Sequence, residues 1–234
     1  MTANTIHKPT SWETPAGVNP RGTLIVLTGR GEHPGIYERF GRRLSSDGYT
    51  VHILENGPSG QAPDLAAKLL ATADPGNPRV VIGSDTGAVL ALQTGAPGPV
   101  GKARPDAIVV AALPLGPAVT ALPDAEVRSA CPVHRARLAD TENLDAGTLA
   151  DDLGHHTLPE PETVEPPVLV FHGENDPVVP AADAAAWSFR LPCSRFVTTS
   201  GGLRDALNDT SHRSVAATLV LFLEDLRHRG SVLK

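Results

Sequence analysis

The chain reads as an α/β protein built on a doubly wound, mostly parallel sheet. Three observations predict this. Short, continuous apolar runs recur along the sequence, as strands buried on both faces require. They alternate with stretches whose apolar residues repeat at helical spacing. Glycines bound several of the runs, where sharp strand-to-helix turns need them.

The elements follow in order. Thr23 to Thr28 (TLIVLT) is apolar and β-branched, bounded by Gly22 and Gly29, and predicts the first strand. Ile36, Phe40 and Leu44 form one stripe of a helix over 36–44, which Asp47-Gly48 stops. Tyr49 to Leu54 is the next strand, and residues 63–73 form a helix with Leu65, Leu69 and Leu70 on its apolar face. Arg79 to Ile82 and Ala107 to Ala112 give two more buried strands, with a helix after Asp85 between them. Val168 to Phe171 is a strand, Ala181 to Phe189 a helix that carries Trp187 into the core, and Ser194 to Thr198 a strand. His212 to Arg229 is a long final helix. In such a sheet, ligands sit at the carboxyl ends of the strands.

One region breaks the alternation. Gly116 to Pro167 is rich in Pro, Asp and His, too long for a plain loop and too polar for another strand and helix. Its apolar residues around Cys131 and over 144–153 distinguish it from a disordered tract. It is expected to form a small helical cap, an insertion over 116–167 within a single domain of residues 1–234.

Composition bounds the function. The chain has 234 residues, a 41% apolar fraction and a net charge of −6, which suits a globular protein and argues against nucleic acid as a partner. No apolar stretch reaches the ~18 residues of a membrane span. The first twenty residues lack the apolar core of a signal peptide. Two cysteines, Cys131 and Cys193, make no disulfide framework, so a cytoplasmic setting is expected. The abundance of Arg and Ala over Lys suits a GC-rich bacterial genome. Neither a cofactor nor a metal is expected, and composition leaves monomer and homodimer both open.

Gly83-Ser84-Asp85-Thr86-Gly87 lies between two apolar runs. It has the form Gly-x-nucleophile-x-Gly of a nucleophile elbow, a strained turn between strand and helix. Asp85 takes the nucleophile position, and Ser84 stands one residue early.

Two further segments join this one in a resemblance. Thr28-Gly29-Arg30-Gly31-Glu32-His33-Pro34-Gly35-Ile36-Tyr37 resembles the His-Gly-x-Gly-Glu-His-x-x-x-Tyr segment of the monoacylglycerol-lipase-like branch of the α/β-hydrolase superfamily. Phe171-His172-Gly173-Glu174-Asn175-Asp176-Pro177-Val178-Val179-Pro180 resembles its His-Gly-x-x-Asp-x-x-Val-Pro, where the Asp is the acid of the triad. The resemblance spans Gly22 to about Leu226. It implies the α/β-hydrolase fold, Asp85 and Asp176 as the first two members of a triad, and backbone oxyanion donors at Arg30 and Thr86.

The third member departs from the pattern. The family's histidine follows the last strand in Gly-x-x-His-Asp/Glu-x-Leu-Asn. This chain reads Gly201-Gly202-Leu203-Arg204-Asp205-Ala206-Leu207-Asn208, with Arg204 in the histidine's place. Haloalkane dehalogenases and epoxide hydrolases resemble this arrangement and use an elbow Asp, but they need a histidine to activate water. A guanidinium cannot accept that proton. Arg204 is instead expected to pair with Asp176 and with Asp85.

The remaining candidates for the pocket are Glu32, His33, Tyr37, His134 and His212. His212 stands at the start of the final helix, reachable only through a rearranged loop. Cys131 and His134 are three apart in the cap, where a buried cysteine beside a helix-start histidine is the simpler reading. His155-His156 could line the pocket mouth, but adjacent side chains diverge and make a poor metal site. Three functions compete. The first is a non-hydrolytic enzyme on a small organic substrate, performing cyclisation or C–C bond formation such as Michael addition, as some actinobacterial natural-product members of the superfamily do. The second is a hydrolase of epoxide, halide, lactone or ester with another base. The third is a non-catalytic ligand-binding protein. The missing histidine favours the first and third, and the retained Asp85 and Asp176 favour the first.

Overall fold

A computed structural model describes residues 9–57, 60–98, 103–116, 122–154 and 156–233. The elements in chain order are β1 (Thr10–Trp12), β2 (Gly22–Leu27), α1 (Glu38–Ser46), β3 (Tyr49–Leu54), α2 (Ala62–Thr72), β4 (Arg79–Ser84) and α3 (Thr86–Gly95). Then come β5 (Ala107–Ala111), α4 (Asp124–Arg128), α5 (Pro132–Leu138), β6 (Val168–Gly173), α6 (Ala181–Ser188), β7 (Ser194–Thr199) and α7 (His212–His228). The sheet has seven strands in the order β1-β3-β2-β4-β5-β6-β7. Every pairing is parallel except that of β1 with β3.

Each strand feeds two cores because its side chains alternate between faces. Leu24, Val26, Val80, Ile82, Val109, Leu169 and Phe171 face one core, closed by Phe40 and Leu44 of α1 and Leu219 and Leu223 of α7. Ile25, Leu27, Val81, Ile108, Val110, Val168 and Val170 face the other, closed by Ala66 and Leu70 of α2 and Ala88 and Leu92 of α3. Trp187 of α6 packs against that second core, partly buried. This double cover explains why the strands read as unbroken apolar runs.

The expected strands and helices are all present, with small shifts at their ends. The stripe read as one helix over 36–44 begins as a 3₁₀ turn at Pro34–Tyr37 and continues as α1. The antiparallel edge strand β1 was not legible, because Thr10 and Ser11 are exposed and only Trp12 reaches the core.

Between β5 and β6, the described residues form α4, α5 and short 3₁₀ turns; residues 117–121 and His155 lie outside the described set. This segment is pinned to the loop after β2. The Asp145 N–H donates to the Gly31 carbonyl (2.8 Å), and the His33 N–H donates to the Asn143 carbonyl (2.8 Å). It therefore lies over the carboxyl edge of the sheet. Among the described residues, no helix is long and apolar enough to cross a membrane.

Candidate functional site

Asp85 stands at the tip of the turn between β4 and α3, with φ +51° and ψ −120°. A non-glycine residue rarely adopts this conformation, and it persists only where the surroundings impose it. The surroundings are two glycines. A Cβ on Gly83 would collide with the Gly87 backbone, and one on Gly87 with the Leu27 and Thr28 carbonyls. The elbow therefore presses β4, α3 and the end of β2 into backbone contact, and Asp85 is thrust up at the carboxyl edge.

Two guanidinium groups meet Asp85 there. Arg30 grips both carboxylate oxygens, with Nε 2.7 Å from Oδ2 and Nη2 3.0 Å from Oδ1. Arg204 Nη2 donates to Oδ1 at 2.6 Å. The backbone N–H of Arg30, expected to stabilise an oxyanion, donates to Asp85 Oδ2 itself at 3.2 Å. A carboxylate offers about four lone-pair sites, and these four donors fill them. Asp85 is 1% exposed. Burial alone would push its carboxyl up; the charges of Arg204 and Arg30 outweigh burial and hold it far below the usual carboxylate range.

Arg204 joins this carboxylate to the second one. Its Nη1 lies 3.2 Å from Asp176 Oδ2, and its Nη2 also donates to the Ala112 carbonyl at 3.2 Å. Asp176 Oδ1 accepts the Val178 and Val179 N–H groups at 2.8 and 3.3 Å, so the turn after β6 orients it. The guanidinium thus bridges the ends of β4, β5 and β6, three loops far apart in sequence. Burial opposes the charge on Arg204, and the two carboxylates more than restore it.

A second buried cluster backs the first. Glu32 accepts from the Gly29 N–H (2.8 Å), from the Tyr37 hydroxyl (2.5 Å) and from Arg128. Arg128 also donates to the Arg30 carbonyl at 2.9 Å, tying α4 to the loop that carries the clamp. His134 pairs with Asp205 at 2.6 Å, both almost fully buried.

A cleft of about 530 Å³ opens beside the elbow. Arg30, Thr86, Asn56, His33, Glu55, Leu90 and His156 line it, with Asp145, Asp151 and Asp152 at its rim. Asn56 Nδ2 donates to Thr86 Oγ1 at 3.0 Å. His33 places Nδ1 3.3 Å from Glu55 Oε1 and Nε2 3.4 Å from Asp145 Oδ1. Partial burial works against its charge, but the two carboxylates outweigh that and raise its pKa.

The geometry sorts the expected residues. Asp85, Asp176 and Arg204 meet in one network. Glu32, His33, Arg30 and Thr86 reach the cleft wall. Three pocket candidates are corrected. Tyr37 is fully buried, with its hydroxyl spent on Glu32. His134 is turned inward onto Asp205. His212 lines a different groove, between α1 and α7. His156 lines the cleft, and His155 lies outside the described residues. The Arg30 side chain, Arg128 and Asp205 were missed as parts of this network. The family-like segment gives Arg30 a role only through its N–H, and no motif surrounds Arg128. Among the described residues, no group of three or more potential ligands could hold a metal.

The comparisons with known proteins agree with this architecture. A family model described as TAP-like protein matches residues 152–230, the portion that carries Asp176 and Arg204. No curated protein matches the chain by sequence. Among solved structures, a monoacylglycerol lipase from Paleococcus ferrophilus superposes with a TM-score of 0.73 at 15% identity, covering 94% of this chain and 99% of the lipase. A monoglyceride lipase from Saccharomyces cerevisiae gives 0.74 at 15% identity, covering 93% and 91%. MenH from S. aureus gives 0.70 at 14% identity, covering 95% and 100%. The chain has the α/β-hydrolase fold.

Proposed function

We propose that this protein binds a small organic molecule in the cleft beside the elbow and transforms it without a covalent enzyme intermediate. The occupation of Asp85 by four donors carries this reading. A nucleophile must present a free lone pair, and a general base must have a pKa near the working pH. Asp85 meets neither requirement. The first oxyanion donor is spent on the same carboxylate, so an acyl intermediate would lack its stabiliser. Arg204 in the histidine's place removes the proton carrier that the triad would use in a hydrolytic second step.

His33 is the cleft residue placed to move a proton. Glu55 and Asp145 flank it and favour its imidazolium form. An imidazolium that persists toward neutral pH can donate to a developing oxyanion on a bound substrate. This supports proton-transfer chemistry such as cyclisation or C–C bond formation rather than ester cleavage. Glu55, Asp145, Asp151 and Asp152 around the cleft favour a neutral or cationic substrate over an anionic one. A role in bacterial secondary metabolism rests on the family resemblance alone.

The test is a panel of nitrophenyl esters, lactones and epoxides, followed by intact-mass analysis. Turnover at background with no adduct on Asp85 is expected. Robust turnover abolished by Asp85→Ala would overturn the proposal. The spent Arg30 N–H also suits a ligand-binding protein without catalysis. Once a ligand is found by metabolite co-purification, His33→Gln separates the two readings: an enzyme loses turnover and keeps binding, whereas a binder has no turnover to lose.

A further inference from the structure

A second cavity adjoins the cleft. It is a furrow of about 200 Å³ between α2 and α3, and Pro63, Leu90 and Gln93 stand in the walls of both. Both helices start at the carboxyl edge of the sheet, so the furrow leads away from the cleft between them, toward Leu70 and Ala96. From Pro63 to Leu70 it follows about 10 Å of helix. Small side chains open it. Ala67 on α2 and Ala96 just beyond α3 leave space that larger residues would fill. Leu70 and Leu90, 1% and 8% exposed, give it an apolar floor.

The polar side chains of the furrow are already engaged. Thr94 Oγ1 donates to the Ala91 carbonyl at 2.6 Å and Gln93 Nε2 to the Thr157 carbonyl at 2.9 Å. Arg104, at the far end, is paired with Glu165. What the furrow offers a ligand is therefore burial of apolar surface rather than hydrogen bonds. The cleft offers the reverse. Thr86 Oγ1 accepts from Asn56, which leaves its own hydroxyl hydrogen for a ligand, and His33, Glu55 and Asp145 add charge. The furrow's volume is below that of a site for a whole drug-sized molecule and suits a substituent of the cleft's ligand.

From this continuity we infer that the substrate is an amphiphile, with a polar head in the cleft and an unbranched apolar chain of up to about eight carbons along the α2–α3 furrow. The inference rests on the cleft as the substrate site proposed above. It makes Ala67 and Leu70, which line the furrow and not the cleft, the determinants of chain length.

The experiment titrates the protein with straight-chain alkylamines, from ethylamine to decylamine, whose cationic head suits the acidic cleft. NMR follows the His33 ring as the reporter of the cleft and the Ala67 and Leu70 methyl groups as reporters of the furrow. Affinity should rise about threefold with each added methylene and level off once the furrow is filled. With the longer amines, His33 and both methyl reporters should shift with one midpoint. Ala67→Trp, which fills the furrow from a half-buried position outside the cleft, should weaken octylamine at least tenfold and leave ethylamine unchanged. Ala67→Glu, which places a charge in the chain's path, should act in the same direction. A His33 response whose strength does not grow with chain length overturns the inference and leaves the cleft as the binding site. Growth that survives both variants, or methyl shifts with a midpoint separate from that of His33, overturns it in the same way. No His33 shift with any amine up to about 10 mM overturns it and counts against the cleft itself.

Discussion

Replacing Arg204 with methionine removes the bridge between the two carboxylates and leaves an unbranched, uncharged side chain in place of the apolar stem. The loss comprises contacts to Asp85 Oδ1 at 2.6 Å, Asp176 Oδ2 at 3.2 Å and the Ala112 carbonyl at 3.2 Å. Both ion-pair partners are buried, with side chains at 1% and 0% exposure, so solvent screening offers no relief. Asp85 retains the bidentate grip of Arg30, so the unpaired charge falls mainly on Asp176. Breaking a buried pair in this way costs about 3–5 kcal/mol. For a domain of this size that lowers the melting temperature by roughly 6–20 °C. The assay is urea unfolding at pH 7 for the parent, Arg204→Met, Asp176→Asn and the double variant. The double variant should recover part of the loss, with a coupling of about 1–3 kcal/mol, because the stranded charge is gone. Asp85 has a depressed carboxyl in the folded state. Its contribution is complete above the unfolded value of about 3.9 and is lost as pH falls below it. The stability that Asp85 contributes to the parent should therefore hold from pH 8 to pH 5 and fall only in stronger acid. An Arg204→Met protein within about 1 kcal/mol of the parent, or strictly additive single variants, would refute the account of a buried, mutually dependent network.

Other outcomes follow from the same geometry. Arg204→His alone should leave nitrophenyl butyrate hydrolysis at background, because Arg30 still holds both oxygens of Asp85; a gain comparable to that of Asp85→Ser/Arg204→His would show that the clamp is not the obstacle. Gly87→Ala should destabilise the fold by about 3 kcal/mol or prevent it, since its Cβ meets the Leu27 and Thr28 carbonyls rather than a movable side chain; a parent-like urea midpoint contradicts the elbow packing. The His33 ring, with its pKa raised by Glu55 and Asp145, should titrate by NMR above the free-histidine value of about 6.5. Glu55→Gln should lower that midpoint, and an unchanged midpoint removes the basis for its proton-carrying role.

The sequence by itself determined the layers. Apolar runs such as Thr23 to Thr28 and Val168 to Phe171 can be satisfied only by strands covered on both faces, and the stripes of α1, α2 and α7 supply the cover. It also determined the elbow, because Gly83 and Gly87 are needed wherever backbones touch so closely. The register of the three family-like segments placed Asp85, Asp176 and Arg204 at neighbouring strand ends. Only the tertiary structure decided what the elbow became. Arg30 turns its side chain inward onto Asp85, Arg128 reaches Glu32 from α4, His134 faces Asp205, and His212 belongs to another groove. Strand and helix patterns are written in local spacing, which a sequence displays directly. A long charged side chain can extend to solvent or fold inward at nearly equal local cost. Its choice is set by the charge it meets across the fold, and that charge arrives from segments 55 to 96 residues away in the chain.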